Sequence, residues 1–188
     1  MSEKVHVGVI YGSTRTGRFC DIVVKWTVER IDAYGKFEVD VIDPILVSAE
    51  DVAQRPGFLS LQEKLGAAEA FVVVTPEYNH GYPAPLKALI DSTGAEWYAK
   101  PVAFVSYGGI SGGLRAVEQL RLVFAELHAV SIRDSVSFAS AWEQFGPDGT
   151  LRDPNRAHKS MEVLLERLHW WALALRNARA TSPYLQSA

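Results

Sequence analysis

A chain of 188 residues, 48% hydrophobic and 22% charged, has the length and balance of a single domain with a sizeable buried core. A formal net charge of −3 with no basic stripe argues against a nucleic-acid partner, and no apolar run approaches the roughly 18 residues that span a bilayer. Met1-Ser2-Glu3-Lys4 leads straight into an apolar run, so no secretory signal is expected, and the lone Cys20 excludes an internal disulfide and fits a reducing cytoplasm.

Residues 4–10 (KVHVGVI) are apolar and β-branched and read as a first strand, ending at Tyr11-Gly12-Ser13. A helix is expected over 17–31, with Ile22, Val23, Trp26, Val28 and Ile31 on its inner faces. Residues 37–42 alternate apolar and polar, as an edge strand does. Residues 43–57, with Pro44 and Pro56, read as a long loop. Leu59, Leu61, Leu65 and Ala68 suggest a helix, and Ala70-Phe71-Val72-Val73-Val74 is a strand buried on both faces. The rhythm repeats with a helix over 85–91, a strand over 102–106 and a helix over 112–128 carrying Leu114, Val117, Leu120, Phe124 and Leu127. A fifth strand covers 130–136, a turn follows at Phe145-Gly146-Pro147-Asp148-Gly149, and a long amphipathic helix covers 153–175.

Strands alternating with helices imply right-handed parallel β-α units. Both doubly wound orders are compatible with such a pattern; five strands and no sixth favour the flavodoxin-like 2-1-3-4-5 over the nucleotide-binding order. The expected fold is therefore α/β, a three-layer doubly wound five-stranded parallel sheet. Residues 1–188 form one domain, with 177–188 as a loose C-terminal tail.

In such a sheet the first, third and fourth strands are neighbours, so the loops at their carboxyl ends share one mouth. The first, Gly12-Ser13-Thr14-Arg15-Thr16-Gly17-Arg18, reads as a phosphate cradle, the alternative being a plain helix N-cap with two surface arginines. It precedes a helix whose free N–H groups favour an anion, Ser13, Thr14 and Thr16 add hydroxyls, and Arg15 and Arg18 can clamp phosphate oxygens. It matches neither the P-loop nor the dinucleotide fingerprint. In the second, Thr75 to Pro83, Tyr78 or Tyr82 can pack on a planar ring while Asn79 and backbone N–H groups meet ring polar atoms. The alternative is a plain Asn79-His80-Gly81 turn. The third, Ser106-Tyr107-Gly108-Gly109-Ile110-Ser111-Gly112-Gly113, lets backbone approach a ligand closely, or is simply a flexible connection.

Gly-Ser-x-Arg-x-Gly, Pro-Glu-Tyr-Asn, Leu86-Lys87-x-x-Ile90-Asp91, Pro101-Val102 and the Tyr-Gly-Gly/Ser-Gly-Gly loop together resemble the NAD(P)H-dependent FMN reductase family, in order, from residue 5 to residue 175. The resemblance implies a flavodoxin-like fold, tightly but non-covalently bound FMN, NAD(P)H as co-substrate and self-association as a homodimer or homotetramer. It implies hydride transfer from NAD(P)H to flavin N5 and ping-pong reduction of a small acceptor such as free flavin, a quinone, an azo compound or a metal oxyanion. Carried over by residue, Ser13 and Arg15 hold the FMN phosphate with the backbone of Gly17, Arg18 and Phe19. Pro76, Glu77, Tyr78 and Asn79 line the isoalloxazine, and Ser106, Tyr107, Gly108 and Gly109 border it opposite. Two departures stand out. Many members have Ser-Phe-Asn where this chain has Arg18-Phe19-Cys20, which implies a guanidinium in place of a hydroxyl contact. Many have Trp after Asp91, where this chain has Ser92.

A cofactor of this kind carries the hard chemistry, so no catalytic acid, base or nucleophile is expected. His80 reads as a turn residue, Cys20 as a buried thiol, and Lys87 and Asp91 as an ordinary i, i+4 pair. Trp97, Tyr98, Phe138, Trp142 and Phe145 suggest either satellite packing or, the favoured reading, an interface capping the site. His6, His128, His158 and His169 are too scattered for a metal. A non-enzymatic flavodoxin-like electron carrier or flavin-binding module is the competing reading.

Overall fold

A computed structural model describes residues 4–46 and 60–184. Five parallel strands, β1 (Val5–Tyr11), β2 (Phe37–Ile42), β3 (Ala70–Pro76), β4 (Pro101–Tyr107) and β5 (Val130–Phe138), lie in the order β2-β1-β3-β4-β5. This is the flavodoxin-like order expected from the sequence. The helices are α1 (Cys20–Tyr34), α2 (Leu61–Ala67), α3 (Ala84–Asp91), α4 (Leu114–Glu126), α5 (Ala141–Gln144) and α6 (Asn155–Thr181). Among the described residues no helix is long and apolar enough to cross a membrane.

The pleat sorts side chains between two cores. Val7, Val9, Val72, Val74, Ala103 and Val105 face α1 and α6, whereas Ile10, Phe71, Val73, Val102 and Phe104 face α2, α3 and α4. Every residue of β3 and β4 is buried, which is why those segments show no alternation. Helix ends follow local chemistry. Ser60 and Glu63 form a reciprocal capping box on α2, and Gly35, at φ +78°, closes α1 by donating its N–H to the Ile31 carbonyl.

The structure revises three expectations. Residues 177–181 are the last turns of α6 rather than a loose tail. Arg176 pairs with Glu69 at 3.2 Å, Arg179 donates to the Ala99 carbonyl, and Tyr184 Oη hydrogen-bonds His128 Nδ1 at 3.0 Å. Trp97, Phe138 and Phe145 are core residues rather than interface; Trp97 sits against Phe71 and Phe124 with its indole N–H donated to the Ile90 carbonyl. Helix α1 starts at Cys20 rather than Gly17, because Gly17 takes a left-handed φ of +63°. The expected 43–57 loop beyond residue 46, and Leu59, lie outside the described residues.

Lys100 is a cost built into the core. Its buried ammonium donates to the Leu65 and Gly66 carbonyls at 2.8 and 3.0 Å, at the end of α2. Burial, with repulsion from Arg179, pushes its pKa down to about 8. The unfolded chain therefore holds this proton up to about pH 10.5 while the folded chain releases it near pH 8, so Lys100 makes stability rise with pH across that window. Denaturant unfolding of wild type and Lys100→Met at pH 7.5 and pH 10 should show that rise, up to roughly 3 kcal/mol, in the wild type alone.

Candidate active site

A cavity of about 440 Å³ opens at the carboxyl ends of β1, β3 and β4, between the three loops singled out in the sequence. Its walls are Arg15 to Phe19, Pro76 to Tyr78, Tyr107 to Gly109 and Trp142. A larger cavity of about 510 Å³ lies between α1 and α6, lined by Arg30, Lys36, Glu162 and Glu166 among others. It lies away from the strand ends, where open α/β sheets bind ligands, so the smaller one is the candidate.

The first loop is pressed onto β3. A Cβ on Gly12 would stand 2.7 Å from the Val74 carbonyl oxygen and 2.8 Å from Thr75 Cα, so only glycine fits. Ser13 is fully buried, its Oγ 2.8 Å from Tyr78 Oη and accepting the Arg15 N–H at 3.4 Å. It pins the loop from beneath and does not line the cavity. The Arg15 guanidinium lies on the Tyr78 ring, 3.6 Å from its centroid, and stays exposed. Beyond it the backbone N–H groups of Thr16, Gly17, Arg18 and Phe19 meet no acceptor among the described residues. Four such donors ahead of α1 are available to an anion.

Arg18 does not do what the sequence suggested. Its guanidinium is committed to both carboxylate oxygens of Asp43, to Asp21 Oδ1 at 2.9 Å and to the Ser13 carbonyl at 2.8 Å, above the Tyr11 ring. The side chain is only 9% exposed, so its guanidinium is already engaged where the sequence suggested a phosphate contact.

In the second loop, Tyr78 and Gly81 exchange backbone hydrogen bonds at 2.9 and 3.1 Å, with Asn79 and His80 at φ +51° and +70°. Two consecutive positive φ values define a type I′ hairpin, for which Asn is a preferred residue. Asn79 is thus an exposed hairpin tip outside the cavity wall, contrary to expectation. His80 is fixed there by Gln119, which donates to its carbonyl at 2.8 Å, and by Arg115, 3.0 Å from its Nε2.

Glu77, 5% exposed, accepts from Ser111 Oγ at 2.8 Å, from the Arg115 backbone N–H at 3.1 Å and from the Arg115 guanidinium. Burial pushes its pKa up, but these hydrogen bonds and the Arg115 charge outweigh it and hold the carboxyl below its usual value. Glu77 therefore staples the second loop to the third. That third loop is not a flexible connection. Gly112 and Gly113, at φ +60° and +85°, pack against β4 and β5, and the Gly112 carbonyl accepts from Ser106 Oγ at 2.8 Å and Ser137 Oγ at 2.9 Å. Ser106 is fully buried and acts from behind the site.

Tyr107 lines the cavity although it is almost fully buried. Its hydroxyl is turned inward beside Cys20, and burial raises the pKa of both groups. Gly108 and Gly109 present bare backbone to the cavity, and Trp142 on α5 stands beside Gly109 at the rim, 60% exposed. The sequence offers Trp142 only as one of several clustered aromatics, with its place just after the fifth strand as the available signal. Arg115 carried no sequence signal, because its partner lies 38 residues away.

The family model for NADPH-dependent FMN reductase matches residues 5–143, covering all three loops and the start of α5. The chain belongs to this family. It is 37% identical over 117 residues to an NAD(P)H-dependent FMN reductase of Schizosaccharomyces pombe, a match covering 56% of this chain and 58% of that protein. It is 34% identical over 147 residues to a quinone reductase of Escherichia coli, covering 69% of this chain and 74% of that one. In fold it is similar to the flavoenzyme NAD(P)H:(acceptor) oxidoreductase FerB of Paracoccus denitrificans, with a TM-score of 0.67 at 22% identity, covering 90% and 98% of the two chains.

The Glu77 staple is open to a direct test. Removing Arg115 strands a buried carboxylate, whereas removing Glu77 leaves a half-exposed, solvated guanidinium. Arg115→Ala should therefore lower unfolding stability by about 2 kcal/mol, and Glu77→Gln by clearly less, in urea titrations at pH 7.

Proposed function

We propose that this chain is an FMN-dependent NAD(P)H oxidoreductase, and that the 440 Å³ cavity is its flavin site. The observation that carries the reading is the run of N–H groups from Thr16 to Phe19, which meet no acceptor among the described residues, beside Arg15 and opening into a slot walled by Tyr78 and the bare backbone of Gly108-Gly109. The donor set suits a phosphate, and the slot suits a flat polar ring system; the volume is in the usual range for such ligands. Bound FMN supplies the chemistry of accepting hydride from NAD(P)H and passing electrons onward.

The chain's own part is to bind, orient and shape access. Arg15 and the N–H groups of residues 16–19 hold the phosphate. Tyr78, pinned through Ser13, and Glu77, pinned through Arg115, fix the wall against the ring. Cys20 and the Tyr107 hydroxyl are buried with raised pKa values, and Glu77 is fully engaged, so none of these supplies a proton to substrate. The donor and acceptor use the same open slot in turn, hence ping-pong kinetics with a small acceptor such as a quinone, an azo compound, free flavin or a metal oxyanion. Self-association as a dimer or tetramer would cover Trp142 at the rim and Ile110 on the third loop, exposed by 60% and 93%. Cytoplasmic residence fits the single reduced thiol.

An absorbance spectrum of the purified protein, before and after anaerobic NADPH, tests the proposal. A flavin spectrum that bleaches rapidly without a partner protein is expected; a colourless protein that takes up no FMN overturns it, and flavin that NAD(P)H leaves oxidised points to a carrier. Arg15→Ala should weaken FMN binding on the order of tenfold, as read by flavin fluorescence, and unchanged affinity would remove Arg15 from the phosphate.

A further inference from the structure

Arg18 and Asp43 form the most fully engaged ion pair beside the site. Their side chains are 9% and 8% exposed, so both are largely shielded from water. Four of the five guanidinium N–H groups are used, by Asp43 Oδ1 and Oδ2, Asp21 Oδ1 and the Ser13 carbonyl. Asp43 in turn accepts the Ile45 N–H at 3.0 Å, while its carbonyl accepts from Leu46 at 2.9 Å. The pair therefore joins three pieces of backbone: the turn leaving β2, the first turn of α1, and the Ser13 peptide from which the cradle departs.

We infer, on the FMN reading above, that Arg18 and Asp43 are a positioning pair that sets the phosphate cradle without touching the phosphate. Two arguments lead there. Geometrically, the Arg18 Nη1 bond to the Ser13 carbonyl fixes the peptide between Ser13 and Thr14, and so the direction in which the chain runs on to the free N–H groups of residues 16–19. Electrostatically, the Arg18 charge is matched by Asp43 and further offset by Asp21, so the pair gives a phosphate no net attraction. Among the described residues, the cationic contact falls to Arg15. A bidentate guanidinium-carboxylate pair is rigid and specific, which suits a second layer that holds first-layer donors in place.

The two roles available to Arg18 predict opposite signs for one substitution. If Arg18 were a phosphate ligand, Asp43→Ala would free its guanidinium, delete a nearby negative charge and tighten FMN binding. If the pair positions the cradle, the same substitution releases the Ser13 peptide and weakens FMN binding despite the more favourable charge. Riboflavin, which lacks the phosphate, serves as the internal control.

The experiment is a set of flavin fluorescence titrations of apo-protein with FMN and with riboflavin, for wild type, Asp43→Ala, Asp43→Asn, Arg18→Gln and the Arg18→Gln/Asp43→Ala double variant. Asp43→Asn keeps an acceptor for the Ile45 N–H and serves if the alanine variant does not fold. Expected is a loss of FMN affinity on the order of tenfold in each single variant, smaller for Asp43→Asn, with riboflavin affinity nearly unchanged and the double variant no worse than the poorer single one. Tighter or unchanged FMN binding in the Asp43 variants overturns the inference, as does an equal loss for riboflavin. Wild-type protein that binds neither flavin overturns the FMN reading itself, whereas wild-type binding with unaffected Asp43 variants overturns only the positioning role.

Discussion

The close approach of the β1 exit to the end of β3 is the constraint on which the site depends. With no side chain at Gly12, its N–H reaches the Val74 carbonyl at 2.8 Å and the chain continues the β1-β3 ladder one residue past the strand. Ser13 is thereby delivered under Tyr78, and Cys20 under the same Val74 carbonyl. A longer side chain at Gly12 would lift the first loop off β3 and uncouple it from the second. Parallel topology puts these strand ends at one edge; the glycine contact turns neighbouring loops into one wall.

The three loops are then fixed to one another rather than to solvent. Ser13 and Tyr78 join the first to the second, Glu77 with Ser111 and Arg115 joins the second to the third, and Gly112 is held by serines from β4 and β5. Each link is modest alone, but neighbouring contacts in one network couple and do not simply add. What remains unlinked is the part that faces a ligand: the Thr16 to Phe19 N–H groups, the exposed Arg15 and the Trp142 rim.

The strands and their order were legible because buried parallel strands leave contiguous apolar runs, as in Ala70 to Val74, and because strand number constrains topology. The loops were legible because glycine and hydroxyl residues cluster where backbone must turn or donate. What stayed hidden depended on partners far along the chain. Arg18 looks like a phosphate clamp until Asp43, 25 residues on, is brought to it. The end of α6 is set by Glu69 and Ala99, which no local window contains. Asn79 was assigned to the cavity on the strength of its motif, yet its left-handed φ, equally a property of Asn, carries it out to the hairpin tip.

Cys20 is the only thiol in the chain, and no part of it meets solvent. It lies beneath the Tyr107 hydroxyl with its sulfur 3.6 Å from the Val74 carbonyl oxygen, and burial holds it as the neutral thiol. The folded protein thus offers no thiolate to alkylating electrophiles, to peroxide or to disulfide exchange. A chain built this way is mute toward reagents that titrate cysteine, and inactivation by them would report unfolding rather than chemistry at the site.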